Sequence, residues 1–234
     1  YYNVDNYNST HFRKFKEVHI QSKDKAISFL KSRGIGEDVC RKYELTIKED
    51  TENILVFPFK SPDGELKFIK YRNIEYQKGI SDGSKEWCER NCMPILFGMN
   101  QCNLENKTLI LTEGQLDSLS VTECGFENAV SVPTGMNGFT WVPHCWDWMH
   151  NFETLIVFGD YENGRISLLD EIKKRFNLKI FHVKEDDYKD CKDANEILLK
   201  YGREQIAKCI NDAVPVPVKH IISISLKRLI PLFF

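Results

Sequence analysis

Residues 109–124 read LILTEGQLDSLSVTEC. A short, unbroken apolar run ending in Glu113-Gly114 has the length and flanks of a buried strand, and residues 115–124 continue with helical spacing up to Gly125. The strand therefore ends by delivering a carboxylate, with a helix opening directly behind it. The arrangement recurs downstream: TLIVFGD (154–160) is an apolar strand ending in Asp160, and RISLLDEIKKRF (165–176) has an amphipathic helical pattern. NAVSVP (128–133) and LKIFHV (178–183) read as further strands, TGMNG (134–138) as a loop, and ANEILLKYG (194–202) as a helix closed by Gly202. Strands alternating with helices of this length imply βαβ units and a mostly parallel sheet, an α/β fold.

Upstream the pattern differs. KDKAISFLKSR (23–33) has a helical apolar spacing stopped at Gly34, and a second short helix is predicted over Glu37–Tyr43. ILVFPF (54–59), the turn SPDGE (61–65) and LKFIKYRN (66–73) form a hairpin signal. Strand alternation places Lys70 and Arg72 on one face with Phe68. This segment reads as an α+β subdomain over 23–106, between a polar connector (1–22) and an α/β domain over 107–212. AVPVPVKH begins a Pro-interrupted linker over 213–234.

The 234 residues are 42% hydrophobic and 28% charged, which excludes disordered, collagenous and coiled-coil classes. Net charge is -2, with a marked asymmetry: residues 1–100 carry 17 basic and 15 acidic groups, whereas 101–200 carry 10 and 17. The eight cysteines include no C-x-x-C pair, the nearest spacing being Cys88 and Cys92 in WCERNC, so no zinc site is expected. Scattered cysteines without a secretory leader fit free thiols in a reducing, intracellular compartment. The apolar tail IISISLKRLIPLFF (221–234) is too short to span a bilayer, and no membrane partner is expected.

Ligands of an open parallel sheet bind beyond the carboxyl ends of its strands. Those ends carry Glu113, Asp160 with Glu162 two residues on, and Asp193 in the loop after the fourth strand. Each has an ordinary alternative: Asp193 with Glu196 is an N-cap signature, and Glu113, Asp160 and Glu162 are plausible turn and loop residues. Four carboxylates at one sheet edge would repel one another, and Mg²⁺ or Mn²⁺ relieves this through oxygen ligands. Two such ions about 4 Å apart suit phosphoryl or nucleotidyl transfer.

LILTEGQLDSL with SVPTG after it, then LIVFGDYENGR, then CKDANEILL, resembles the three motifs of a TOPRIM domain, in order. The similarity is to the primase cores of phage primase–helicases and Twinkle-like proteins, and more distantly to DnaG-type primases. FLKSRGI, the hairpin with Lys70 and Arg72, and ILFG (95–98) resemble the small subdomain preceding TOPRIM in those proteins, and 213–225 resembles the linker to their helicase domain.

The resemblance implies a Rossmann-like TOPRIM domain and a primase that joins ribonucleoside triphosphates on single-stranded DNA. It implies that Glu113 binds metal or acts as general base, and that Asp160, Glu162 and Asp193 bind two Mg²⁺ or Mn²⁺ ions. Asp117 would orient the site; Lys70, Arg72, Lys192 and Arg165 would meet nucleotide or DNA phosphates. Glu162 replaces the family's second aspartate and Asn163 its alanine. The extra methylene moves the carboxylate by roughly 1.5 Å, a distance to which catalytic geometry is sensitive. No Walker-type motif is present, so a replicative helicase domain is expected as a partner elsewhere in a longer chain. A bacterial or phage-infected cytoplasm is the expected location, or an organelle if the chain is Twinkle-like. Two other functions stay open: a DNA-binding or loading module of a helicase without primer synthesis, and a TOPRIM nuclease.

Overall fold

The computed structural model describes residues 23–217; the connector at 1–22 and the linker beyond 217 lie outside the described residues. The chain enters α1 (Lys23–Ser32), whose Ala26, Ile27 and Leu30 form a buried stripe. Gly34 ends it at φ 76°, while the Gly34 and Ile35 amides donate back to the Lys31 and Leu30 carbonyls. Only glycine takes this left-handed closing position without strain.

After α2 (Glu37–Lys42) come β1 (Thr46–Ile47), β2 (Ile54–Lys60), β3 (Leu66–Asn73) and β4 (Glu86–Cys88), an antiparallel sheet in that order. Leu55, Phe57, Phe59 and Phe68 are buried on one face, and Val56, Ile69 and Tyr71 form a smaller cluster on the other. The register sets Lys70 opposite Phe57 and Cys88, and Arg72 opposite Leu55 and Glu86. A slip of one residue would turn both cations to the opposite face.

The second unit contains β5 (Thr108–Thr112), α3 (Gln115–Glu123), β6 (Ala129–Ser131), α4 (Val142–Met149) and β7 (Thr154–Phe158). It continues with β8 (Tyr161–Glu162), β9 (Arg165–Ile166), α5 (Ser167–Arg175), β10 (Lys179–His182), α6 (Glu185–Tyr188), α7 (Ala194–Asn211) and β11 (Val214–Pro215). Its sheet runs β11-β10-β7-β5-β6, parallel except for β11. Leu109, Ile110 and Leu111 are all buried, as expected of a strand covered on both faces. β5 and β7 are adjacent, with Thr112 opposite Phe158, so the residues that follow them emerge side by side. The fold is therefore α/β with a mostly parallel sheet, as the sequence predicts.

Three local features differ from the expectations. Arg165 and Ile166 open no helix; they pair with β8 across an Asn163-Gly164 turn in which both residues have positive φ (53° and 74°), and α5 starts at Ser167. Gly202 (φ 77°) kinks α7 rather than closing it. Within the expected linker, β11 pairs with β10, its Pro215 tolerated because β11 is an edge strand.

The two sheets share one continuous core. Phe97 bridges to Ser131 at the end of β6 and packs on Phe57, Phe59 and Tyr43, with ring centroids 5.2–5.8 Å apart. Asn195 Nδ2 donates to the Arg33 carbonyl (2.8 Å) and the Gly36 amide to Glu123 Oε2 (2.9 Å), fixing the helical segment against α3 and α7.

Candidate metal and nucleotide site

Between the sheets lies a cavity of about 620 Å³. Its second-unit wall is acidic. Glu113 follows β5, and Asp160 follows β7 after Gly159, where a Cβ would come within 2.9 Å of Ile166 Cγ2. Asp117, one turn into α3, reaches back so that its Oδ2 accepts from the Gly114 amide (3.2 Å). A Cβ on Gly114 would lie 2.5 Å from that oxygen, so the E-G-Q-L-D spacing requires its glycine. Asp117 Oδ1 accepts from the Asn195 amide (3.0 Å), and Asp193 caps α7 by accepting from the Glu196 amide (2.8 Å). Two helix N-termini thus converge on neighbouring carboxylates, and their partial positive charge favours anions there.

Oxygens of Asp117, Asp160 and Asp193 lie within 4.8 Å of one another, the one such group among the described residues. Burial, reinforced by the charges of Asp193 and Asp160, drives the Asp117 carboxyl well above the usual range. Burial also raises Asp160, against the pull of Lys192, and pushes Glu113 up to about 7 with help from Asp160. Three crowded oxygen donors, two of them with ionisation held back by burial beside other carboxylates, fit a hard divalent cation. Glu113 and Glu162 are not members of the group. Glu113 lines the cavity beside it, whereas Glu162 is exposed in the β8–β9 hairpin.

Lys192 Nζ lies 2.9 Å from Asp160 Oδ2 and 3.0 Å from Glu162 Oε1. Although burial opposes its charge, these carboxylates hold the ammonium above its ordinary pKa. Arg165 is exposed opposite Glu162 in the hairpin and does not line the cavity.

The facing wall is basic. Lys70 is buried, with Nζ 2.8 Å from Glu86 Oε2 and 2.8 Å from Gln115 Oε1. Gln115 in turn donates to the Val132 carbonyl (2.8 Å), so the first residue of α3 clamps the first unit's lysine. Arg72 Nη1 pairs with Glu86 Oε1 at 2.7 Å. Against the cost of burial, Lys70 and Arg72 hold the Glu86 carboxyl below its ordinary value.

Arg33 and Lys85 also line the cavity, and neither forms an ion pair among the described residues. Arg33 Nε is buried without a hydrogen-bond partner, and burial together with Arg72 lowers the Lys85 pKa. Reading the sequence singled out neither of these cations, nor Glu86. Arg33 figured only as part of the helical segment KDKAISFLKSR and of FLKSRGI.

All eight cysteines are free thiols, and no described helix is long and apolar enough to cross a membrane.

No protein-family model matches the chain. Two Arabidopsis thaliana proteins are similar: a primase homolog protein, 26% identical over 84% of this chain, and a chloroplastic/mitochondrial Twinkle homolog, 24% identical over 83%. The chain spans 61% of the first and 29% of the second. Among solved structures, the zinc-binding and RNA polymerase domains of Aquifex aeolicus primase superpose with a TM-score of 0.65 (18% identity, 82% of this chain, 57% of that one). The primase fragment of the bacteriophage T7 primase-helicase gives 0.62 (18% identity, 87% and 81%). In sequence the chain is thus similar to primase homolog and Twinkle homolog proteins, and it shares the fold of solved primase RNA polymerase domains.

Proposed function

We propose that this primase-family chain is an RNA-polymerase core that joins ribonucleotides on single-stranded DNA. The observation that carries this reading is the cavity's division into an acidic wall able to hold a divalent cation and a facing wall of cations suited to phosphate. Asp117, Asp160 and Asp193 would hold Mg²⁺ or Mn²⁺, which neutralises charge on the triphosphate. Arg33 and Lys85, free of carboxylate partners among the described residues, bind phosphates, and Lys70 and Arg72 lie behind them, positioned by Glu86. Glu113, with a pKa near 7, accepts the proton of the primer 3′-hydroxyl as its oxygen bonds to the α-phosphorus and pyrophosphate leaves.

Residues 23–106 then supply the phosphate-binding wall and 107–212 the catalytic TOPRIM wall. A replicative helicase domain is the natural partner in a longer chain, inside a reducing compartment or an organelle. A second reading, a DNA-loading module without synthesis, is favoured by the Lys192 ammonium resting on Asp160 and Glu162.

The test is incubation with single-stranded DNA, labelled ribonucleoside triphosphates and Mg²⁺ or Mn²⁺, alongside D160N and E113Q. Metal-dependent oligoribonucleotides abolished by D160N and reduced at least 100-fold by E113Q support the polymerase. DNA binding without synthesis supports the loading module, and cut template a nuclease.

A further inference from the structure

The acidic edge has more oxygens than its three-carboxylate group uses. At that edge, Asp160 Oδ2 and Glu162 Oε1, the latter from outside the group, converge on a position that Lys192 Nζ fills at 2.9 and 3.0 Å. Asp160 thus belongs both to the group with Asp117 and Asp193 and to the pair of carboxylates that holds the ammonium.

Lys192 is held there by its backbone. Its carbonyl accepts from the Tyr161 amide at 2.7 Å and its amide donates to Glu196 Oε2 at 2.9 Å, so the lysine and the loop bearing Asp160 and Glu162 are fastened together. The two-residue hairpin Asn163-Gly164 turns the chain immediately after Glu162, and Glu162 is exposed, outside the buried aspartate group. The extra methylene of Glu162 has a use in this geometry, since it carries a carboxylate out to the ammonium.

We propose that Lys192 is a built-in second cation: the chain binds one divalent ion, at Asp117, Asp160 and Asp193, and the Lys192 ammonium occupies the place where a two-ion site would hold its other metal. This rests on the metal-site reading above. A divalent ion on Asp160 and Glu162 would bind at about 2.1 Å from the same oxygens the ammonium already engages, so ion and lysine exclude each other. The tethered ammonium holds its position without drawing on free metal.

The experiment counts ions with Mn²⁺ alone, by electron paramagnetic resonance of unbound Mn²⁺, on metal-stripped chain. Wild type and K192R are expected to bind one ion per chain and K192M two, with K192Q as a second neutral variant and circular dichroism confirming the fold of each. Diffraction from Mn²⁺-soaked wild-type crystals is expected to show one anomalous peak. Two ions on wild type, or one ion on both folded neutral variants, overturns the proposal while leaving the metal site standing. No ion on wild type or variants overturns the metal-site reading itself, and this inference with it.

Discussion

The raised pKa of Glu113 makes stability of the metal-free chain depend on pH in a calculable direction. A carboxyl lifted from 4.5 to about 7 on folding binds its proton more tightly in the native state. Its stabilising contribution is therefore complete below about pH 4.5 and is lost as pH rises through 7. At about 1.36 kcal/mol per pKa unit the full span is about 3 kcal/mol. Glu113 is partly open to the cavity, and solvent screening roughly halves this, to ~1–2 kcal/mol. For a domain of this size that corresponds to ~3–6 °C in Tm.

Asp117 and Asp160 contribute with the same sign, so wild type alone cannot isolate Glu113. E113Q removes the titrating group and keeps an acceptor for the Asp160 amide. In EDTA, the Tm of wild type is expected to fall by ~3–6 °C more than that of E113Q between pH 5 and pH 8. Saturating Mn²⁺ is expected to shrink the difference, because a nearby dication favours the ionised form. Parallel wild-type and E113Q curves in EDTA would refute the reasoning, since Glu113 would then titrate alike in the folded and unfolded chain.

G114A places a methyl 2.5 Å from Asp117 Oδ2. It is expected to destabilise the chain by ~1–3 kcal/mol in urea unfolding and to weaken Mn²⁺ binding measured by calorimetry. E86A leaves the buried Lys70 with Gln115 as its remaining polar partner and frees Arg72. A loss of ~1–3 kcal/mol is expected, less than for a fully buried pair because Glu86 is partly exposed, with E86Q recovering part of it. R33A and K85A are each expected to raise KM for ribonucleoside triphosphate, or weaken its Kd, by about tenfold or more with little change in Tm, as charge-assisted phosphate bonds are lost.

The parallel sheet was legible because its central strands β5 and β7 are buried on both faces and appear as unbroken apolar runs, and because the carboxylates fall where such strands end. Asp160 and Asp193 belong to the metal-competent group for that reason. Asp117 was assigned only an orienting part because in sequence it lies within the first turn of the helix rather than at a strand end. Its position beside Asp160 and Asp193 depends on α3 and α7 meeting N-terminus to N-terminus, a tertiary fact. α4 escaped notice because VPHCWDWM has bulky aromatics with no polar stripe to mark a period, although Pro143 suits a helix start. Glu86 and Lys85 sit in a three-residue strand and its approach, too short to carry a pattern, and become meaningful only through the register that sets Glu86 opposite Arg72.

Each wall of the cavity also brings its own counterion, and this constrains how a ligand enters. The cations Lys70 and Arg72 share Glu86, while Asp160 and Glu162 share Lys192, so the lining holds five basic and five acidic side chains. A nucleotide bound with its metal adds negative charge toward the first set and positive charge toward the second, and must compete with both internal pairs. Among the described residues, the groups without such partners are Arg33 and Lys85 on the basic side and Asp117 and Asp193 on the acidic side. They are the positions where charge added by a ligand displaces no existing ion pair. First contact is therefore expected there, with phosphate meeting Arg33 and Lys85 and the cation meeting Asp117 and Asp193, before Lys192 releases Asp160 or Lys70 and Arg72 release Glu86.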